Sequence, residues 1–155
     1  MPDPAAAFRE SRRMLVAGGR LVFAVFTGPE KNPFASIPAR ILIEMGHLPA
    51  PTSQWRPGIL ALADRGRLQS LLDGAGFTSI RIEPVNMTWT FPDAQSYWTF
   101  LVDLSALGPL IRSLPEETRE RFRTALNERL AAFARTGGIT LPSECWGGVT
   151  FKPAS

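Results

Sequence analysis

Apolar and polar positions along this chain keep regular periods that change at glycines and prolines. Phe8, Ser11, Met14 and Leu15 recur at helical spacing behind Asp3-Pro4, an acidic N-cap with proline in the first turn. Gly18-Gly19 closes that helix. Arg20–Phe26 (Arg-Leu-Val-Phe-Ala-Val-Phe) then reads as a strand apolar on both faces, the pattern of a strand sandwiched between helices in a mostly parallel sheet. The stretch from Thr27 to Pro33 has loop composition. Phe34, Ile37, Ile41, Leu42 and Met45 predict a second amphipathic helix closed by Gly46, and Leu48 to Gly58 carries three further prolines as an irregular connection.

Asp64 is placed to cap a third helix with Leu68, Leu71, Leu72 and Ala75 as its stripe and Gly76 as its stop. From Thr78 the chain is extended. Ile80 and Ile82 are even-numbered, whereas Val85, Met87, Trp89 and Phe91 are odd, so the strand needs a bulge or bend near Pro84. Asp93 caps a fourth helix bearing Tyr97, Trp98, Leu101 and Leu104, interrupted by Gly108-Pro109. Ser113 and Glu116 match a capping box for a helix with Phe122, Leu126, Leu130 and Phe133 on one side, ended by Gly137-Gly138. Ile139–Leu141 and Cys145–Phe151 read as two short closing strands. No internal repeat or low-complexity segment occurs.

A chain of 155 residues is one domain's worth, and 45% hydrophobic against 20% charged residues supports a packed core rather than disorder. No apolar stretch reaches the roughly 20 residues that span a bilayer. The N-terminus has no basic segment followed by an apolar one, so a cytoplasmic location is expected. The single cysteine, Cys145, cannot form an internal disulfide or a cysteine-only metal cluster. The net charge of +3 is almost entirely arginine, spread along the chain and interleaved with acids. That pattern fits solvated helix faces better than a nucleic-acid surface.

Three segments carry a family resemblance. Pro2-Asp3 through Phe26, with its Leu15-Val16-Ala17-Gly18-Gly19 turn into Arg20-Leu21-Val22-Phe23, resembles the second half of class I (Rossmann-like) S-adenosylmethionine-dependent methyltransferases, in the small-molecule, quinone-biosynthesis-like group. Ala17 stands where that family usually has proline. Leu71-Leu72-Asp73-Gly74-Ala75-Gly76-Phe77 is similar to the end of the family's sixth helix, and Cys145 to Lys152 to its antiparallel last strand. The resemblance implies an α/β fold: the C-terminal half of a Rossmann-like sheet, with one parallel strand at 20–26, strands near 78–91 and 144–152, the last antiparallel, and helical lid insertions. It implies a single partial domain over 1–155. Residues 1–28 and 64–91 would belong to the catalytic core, 33–63 and 92–138 to lids, and 139–155 to the closing strands.

The sequence departs from the family where the cofactor would bind. No Gly-x-Gly-x-Gly occurs; Gly74-Ala75-Gly76 lies at a helix end before a strand, whereas phosphate or ribose capture needs strand, turn, helix in that order. The expectation is therefore the acceptor-side half of a methyltransferase, inactive alone, with S-adenosylmethionine the cofactor of the full-length family and not bound by this chain. A non-enzymatic remnant, or a module that binds a hydrophobic ligand or partner, is the other reading. By family strand order, the last strand would lie beside 20–26 and the sixth strand outside it. That leaves one edge of 20–26 for self-association or for a complementary N-terminal half.

The resemblance assigns the segments around the lids to an acceptor pocket. Phe34, Met45, Trp55, Arg56, Trp89, Tyr97 and Trp98 are the substrate-binding candidates, as an aromatic wall for a small lipophilic acceptor or as plain core packing. Arg56 could hold an acidic substrate group or be an exposed loop arginine. His47, the only histidine, is the candidate base for an acceptor hydroxyl, or a helix C-terminal residue. Cys145 has no histidine nearby to activate it, and neither metal-ligand spacing nor a hydrolase nucleophile motif is present.

Overall fold

Helix α1 (Pro4–Met14) begins where the Asp3 carboxylate accepts a 2.9 Å hydrogen bond from the Ala6 amide. It buries Phe8, and Leu15 packs beside it, but Met14 is 69% exposed. Seven residues return a helix to the same face and six do not, so Met14 leaves the expected stripe. The computed structural model describes residues 3–50 and 58–154. The chain divides into two compact units, residues 3–31, 58–87 and 144–154, and residues 32–50 and 88–143.

The first unit holds α1, β1 (Arg20–Phe26), α3 (Arg65–Gly74) and parts of two long strands, β2 (Thr78–Phe91) and β4 (Gly138–Phe151). Asp64 caps α3 by accepting from the Arg67 amide at 2.6 Å, and Gly76 ends the turn at φ +80°. The sheet order is β1-β4-β2, with the closing strand between the other two. β1 pairs antiparallel with β4, from Arg20 opposite Phe151 to Phe26 opposite Cys145. The sheet is mostly antiparallel, and its order places the closing strand beside 20–26 with residues 78–91 outside it. The Lys152 amide donates to the Gly19 carbonyl at 2.8 Å and the Thr27 amide to the Glu144 carbonyl at 3.1 Å. Bonded pairs alternate along an antiparallel ladder. The peptide groups of Leu21, Phe23 and Val25 therefore engage β4, and those of Val22 and Ala24 turn toward the opposite edge.

One face of this sheet is covered. Leu21, Phe23, Val25, Ile80, Ile82 and Trp146 pack on Phe8 of α1 and on Leu68 and Leu72 of α3. The Trp146 indole donates to the Ala63 carbonyl at 2.7 Å, and Lys152 Nζ reaches the Leu15 carbonyl at 2.7 Å. The other face leaves Val22 67%, Val85 48% and Phe151 37% exposed, so β1 is not sandwiched as its composition suggests. Its unbroken apolar run, made of Leu21, Phe23 and Val25 inward and Val22 and Ala24 outward, pairs one buried and one open side.

The second unit contains α2 (Pro33–Glu44), α4 (Ala94–Leu104), α5 (Gly108–Ser113), α6 (Glu116–Leu130), a short 3₁₀ turn at Ala131–Phe133, the two-residue β3 (Ala134–Arg135) and the remaining parts of β2 and β4. α2 packs on α6, and α4 on α5 and α6. Ile41, Leu42, Leu101, Ile111, Phe122 and Leu126 are buried there. Asp93 caps α4, accepting from the Ser96 amide at 2.7 Å.

Three local expectations are corrected. Ser113 does not form a capping box: it ends α5, its hydroxyl donates to the Leu110 carbonyl at 2.7 Å, and Pro115 is the N-cap of α6. The long helix stops at Leu130, and residues 134–135 turn back through Gly137 and Gly138 to pair with residues 138–139. The two closing strands are one, β4, whose Pro142 falls between the stretches paired with β3 and with β1. The change of phase in β2 is present. Ile82 is buried, Phe91 is buried, residues 83–88 between them are exposed, and the strand runs through without a break.

Candidate functional site

Three of the substrate-binding candidates meet in the second unit. α2 starts at Pro33, which needs no amide partner in the first turn, and so sets Phe34 at its second position. Phe34 stacks on Trp89 with ring centroids 4.8 Å apart. Trp89 lies 5.5 Å from Phe100, and Phe91 meets Tyr97 edge-on at 5.0 Å. The Tyr97 hydroxyl donates to the Phe34 carbonyl at 2.6 Å. Tyr97 is fully buried, and burial holds its hydroxyl well above the ordinary tyrosine range, so it stays protonated at neutral pH. Trp89 is half-buried, and its indole nitrogen is enclosed without a hydrogen-bond partner among the described residues. In the same unit, Ser143 Oγ donates to Asn32 Oδ1 at 2.6 Å with both residues buried.

Trp98 points away from this group. It packs on Phe122 at 6.1 Å, and the Arg123 guanidinium sits 5.3 Å from its ring centre. Adjacent residues on a helix lie about 100° apart, so Tyr97 and Trp98 cannot share a wall. Met45 and His47 lie at the end of α2, away from the rings in sequence. Met45 is the C-cap; Gly46 takes φ +77°, and the exposed His47 uses its amide to close the turn on the Leu42 carbonyl at 2.8 Å. Trp55 and Arg56 lie outside the described residues. Phe91 and Phe100 complete the cluster and were not singled out from the sequence. Their signals were the strand period from Trp89 and the helical step of three from Tyr97.

The first unit has a separate concavity of about 200 Å³ beside the C-terminal end of β1. Pro4, Ala24, Val25, Ile59 and Leu62 line it, and no charged side chain is among its walls in the described residues. The Glu30 carboxylate lies over Gly28 just past β1. No group of three metal-ligating side chains occurs among the described residues, and no helix there is long and apolar enough to cross a membrane.

Neither place suits S-adenosylmethionine. Among the described residues the cavity beside β1 offers no carboxylate for ribose hydroxyls, and the loop after β1 has one glycine, Gly28. The glycines with positive φ at 18 and 76 precede strands instead of following them. Phe34, Phe91 and Tyr97 are buried and Trp89 is the half-buried ring of the cluster; with Tyr97 already bonded, the cluster holds no base.

No family model matches the sequence, and no curated protein matches it. A solved structure from Bacillus halodurans C-125, described as "a putative methyltransferase", matches over 99% of this chain at 16% identity with a TM-score of 0.50. The likeness is one of fold. This chain spans 59% of the length of that structure, about three fifths.

Proposed function

We propose that this chain is the acceptor-side half of an S-adenosylmethionine-dependent methyltransferase for a small lipophilic acceptor, and that it is inactive without a cofactor-binding half. The observation that carries the reading is the sheet order β1-β4-β2, with α1 and α3 packed on one face and the antiparallel closing strand in the middle. The likeness to the Bacillus halodurans structure supports it. In this reading Phe34, Trp89 and Tyr97 form the wall that an apolar, planar acceptor such as a quinone lies against. Met45, Trp55, Arg56 and Trp98 would border that region. His47 is the group able to take a proton from an acceptor hydroxyl, and the chain itself supplies alignment rather than the methyl group.

Two titrations test this. Calorimetry of the isolated chain with S-adenosylmethionine should show no binding; micromolar affinity would refute the division into halves. Indole fluorescence should be quenched saturably by a short-chain benzoquinone, with Trp89→Ala removing most of the effect. No saturable quenching by any planar lipophile would remove the acceptor assignment. A non-enzymatic ligand-binding module shares the second result. It differs in gaining no methyl-transfer activity when a cofactor-binding half is added.

A further inference from the structure

The turn that joins α1 to β1 holds apolar side chains out in solvent between arginines, and we propose that it docks this chain on an anionic lipid surface. Its sequence is Arg12-Arg13-Met14-Leu15-Val16-Ala17-Gly18-Gly19-Arg20. Leu15 packs on the core of the first unit, whereas Met14 is 69% and Val16 77% exposed, and Ala17 is exposed beside them. Single apolar side chains on a surface are common. Here two large ones flank a buried residue on a turn that is pinned in place. The Gly19 amide donates to the Val16 carbonyl at 2.9 Å and the Gly18 amide to the Lys152 carbonyl at 3.1 Å. Lys152 Nζ donates to the Leu15 carbonyl at 2.7 Å.

Positive charge gathers at the same place. Residues 9–20 carry four arginines and one acid, a net +3 that equals the net charge of the whole chain. The acid, Glu10, is bonded to Arg13 at 2.8 Å. Arg9, Arg12 and Arg20 enter no ion pair among the described residues. α3 packs on α1, and its Gly76 turn lies against Arg12; the acid near that end, Asp73, accepts from Gln69 at 3.2 Å. Arg20 stands opposite Phe151 in the β1–β4 register, and Phe151 is 37% exposed, so apolar surface continues past the turn.

This combination selects a bilayer interface. Aliphatic side chains enter the acyl boundary, while guanidinium groups stay level with the headgroup phosphates and hydrogen-bond to them. The arginines alone would suit nucleic acid, but a phosphate backbone offers nothing to Met14 and Val16. A folded protein partner of standard size needs about 800 Å² of matched surface, more than a two-residue tip presents, whereas lipids conform to it. Neither signal suffices by itself, and the docking is reversible. The inference rests on this turn and not on the aromatic cluster, so it stands or falls apart from the acceptor assignment.

Co-sedimentation of the full chain with vesicles tests it. Vesicles of equimolar phosphatidylcholine and phosphatidylglycerol should carry the chain down at low salt, phosphatidylcholine vesicles should not, and added salt should release it. Met14→Ser combined with Val16→Ser, at exposed positions that leave the circular dichroism native, should lower the partition coefficient at least about tenfold. Arg9→Gln and Arg20→Gln should each lower it about fivefold. A chain that stays in solution with both kinds of vesicle, equal binding to both, or binding indifferent to the serine pair would each overturn the proposal. So would tighter binding to duplex DNA than to the anionic vesicles, or a lipid-free dimer that the serine pair dissociates.

Discussion

The Tyr97 hydroxyl, fully enclosed, donates a 2.6 Å hydrogen bond to the Phe34 carbonyl and ties α4 to the first turn of α2. A buried donor loses water when the chain folds and must be compensated within it. Tyr97→Phe keeps the ring and removes the bond. Its expected cost is about 0.5–1.5 kcal/mol, read as a lower urea midpoint with an unchanged slope.

The same residue sets the alkaline limit of stability. It is the only tyrosine, so tyrosinate absorbance reports on it alone. Burial raises its pKa, which means folding favours the protonated form. The stabilisation is therefore complete below the unfolded value of about 10 and declines as pH climbs above it. Tyrosinate absorbance should stay absent while the circular dichroism is native and should rise together with unfolding. Ordinary titration near pH 10 in the folded chain would contradict this, and Tyr97→Phe should flatten the alkaline fall.

Gly148 is the residue opposite Phe23 in the β1–β4 register, and the Phe23 ring lies over its backbone. A methyl group there would drive into that ring. Gly148→Ala should cost about 1–3 kcal/mol. Combining it with Phe23→Leu should recover part of that loss, so a double-mutant cycle in thermal or urea unfolding should show coupling between the two positions.

Two tryptophans give opposite expectations. The Trp146 indole has a carbonyl partner in Ala63, and the enclosed Trp89 nitrogen has none. Phenylalanine at 89 deletes an uncompensated donor, whereas phenylalanine at 146 breaks a bond. Trp146→Phe should therefore destabilise by about 1 kcal/mol more than Trp89→Phe in the same denaturation assay.

Helix starts were the most legible part of this chain, because an aspartate before an apolar stripe has one efficient use. Asp3, Asp64 and Asp93 all cap as their positions suggest. Strand environment was less legible. An apolar run such as Leu21–Val25 suits a strand buried on both faces, and equally one whose open face is apolar; composition alone does not separate them. Pro142 split β4 in the sequence because proline removes an amide donor, yet here it stands between two paired stretches. Ser113 and Glu116 had the spacing of a capping box, but α5 claims the serine first.

The candidate site was legible as a set of aromatic residues and not as a geometry. Phe34, Trp89 and Tyr97, far apart in sequence, do come together. Trp98 belongs to the same lid segment as Tyr97, and helical rotation carries it to the other side. Phe91 was legible as a strand position and not as part of a site, and Phe100 follows Tyr97 by one helical step of three.

The bond from Lys152 to the Leu15 carbonyl has a practical side. The chain has two lysines; Lys31 is exposed, while Lys152 is half-buried with its amine committed. Amine-directed reagents at limiting dose will modify the Lys31 side chain before that of Lys152, so the native protein carries one readily labelled lysine for a dye, a spin label or a solid support.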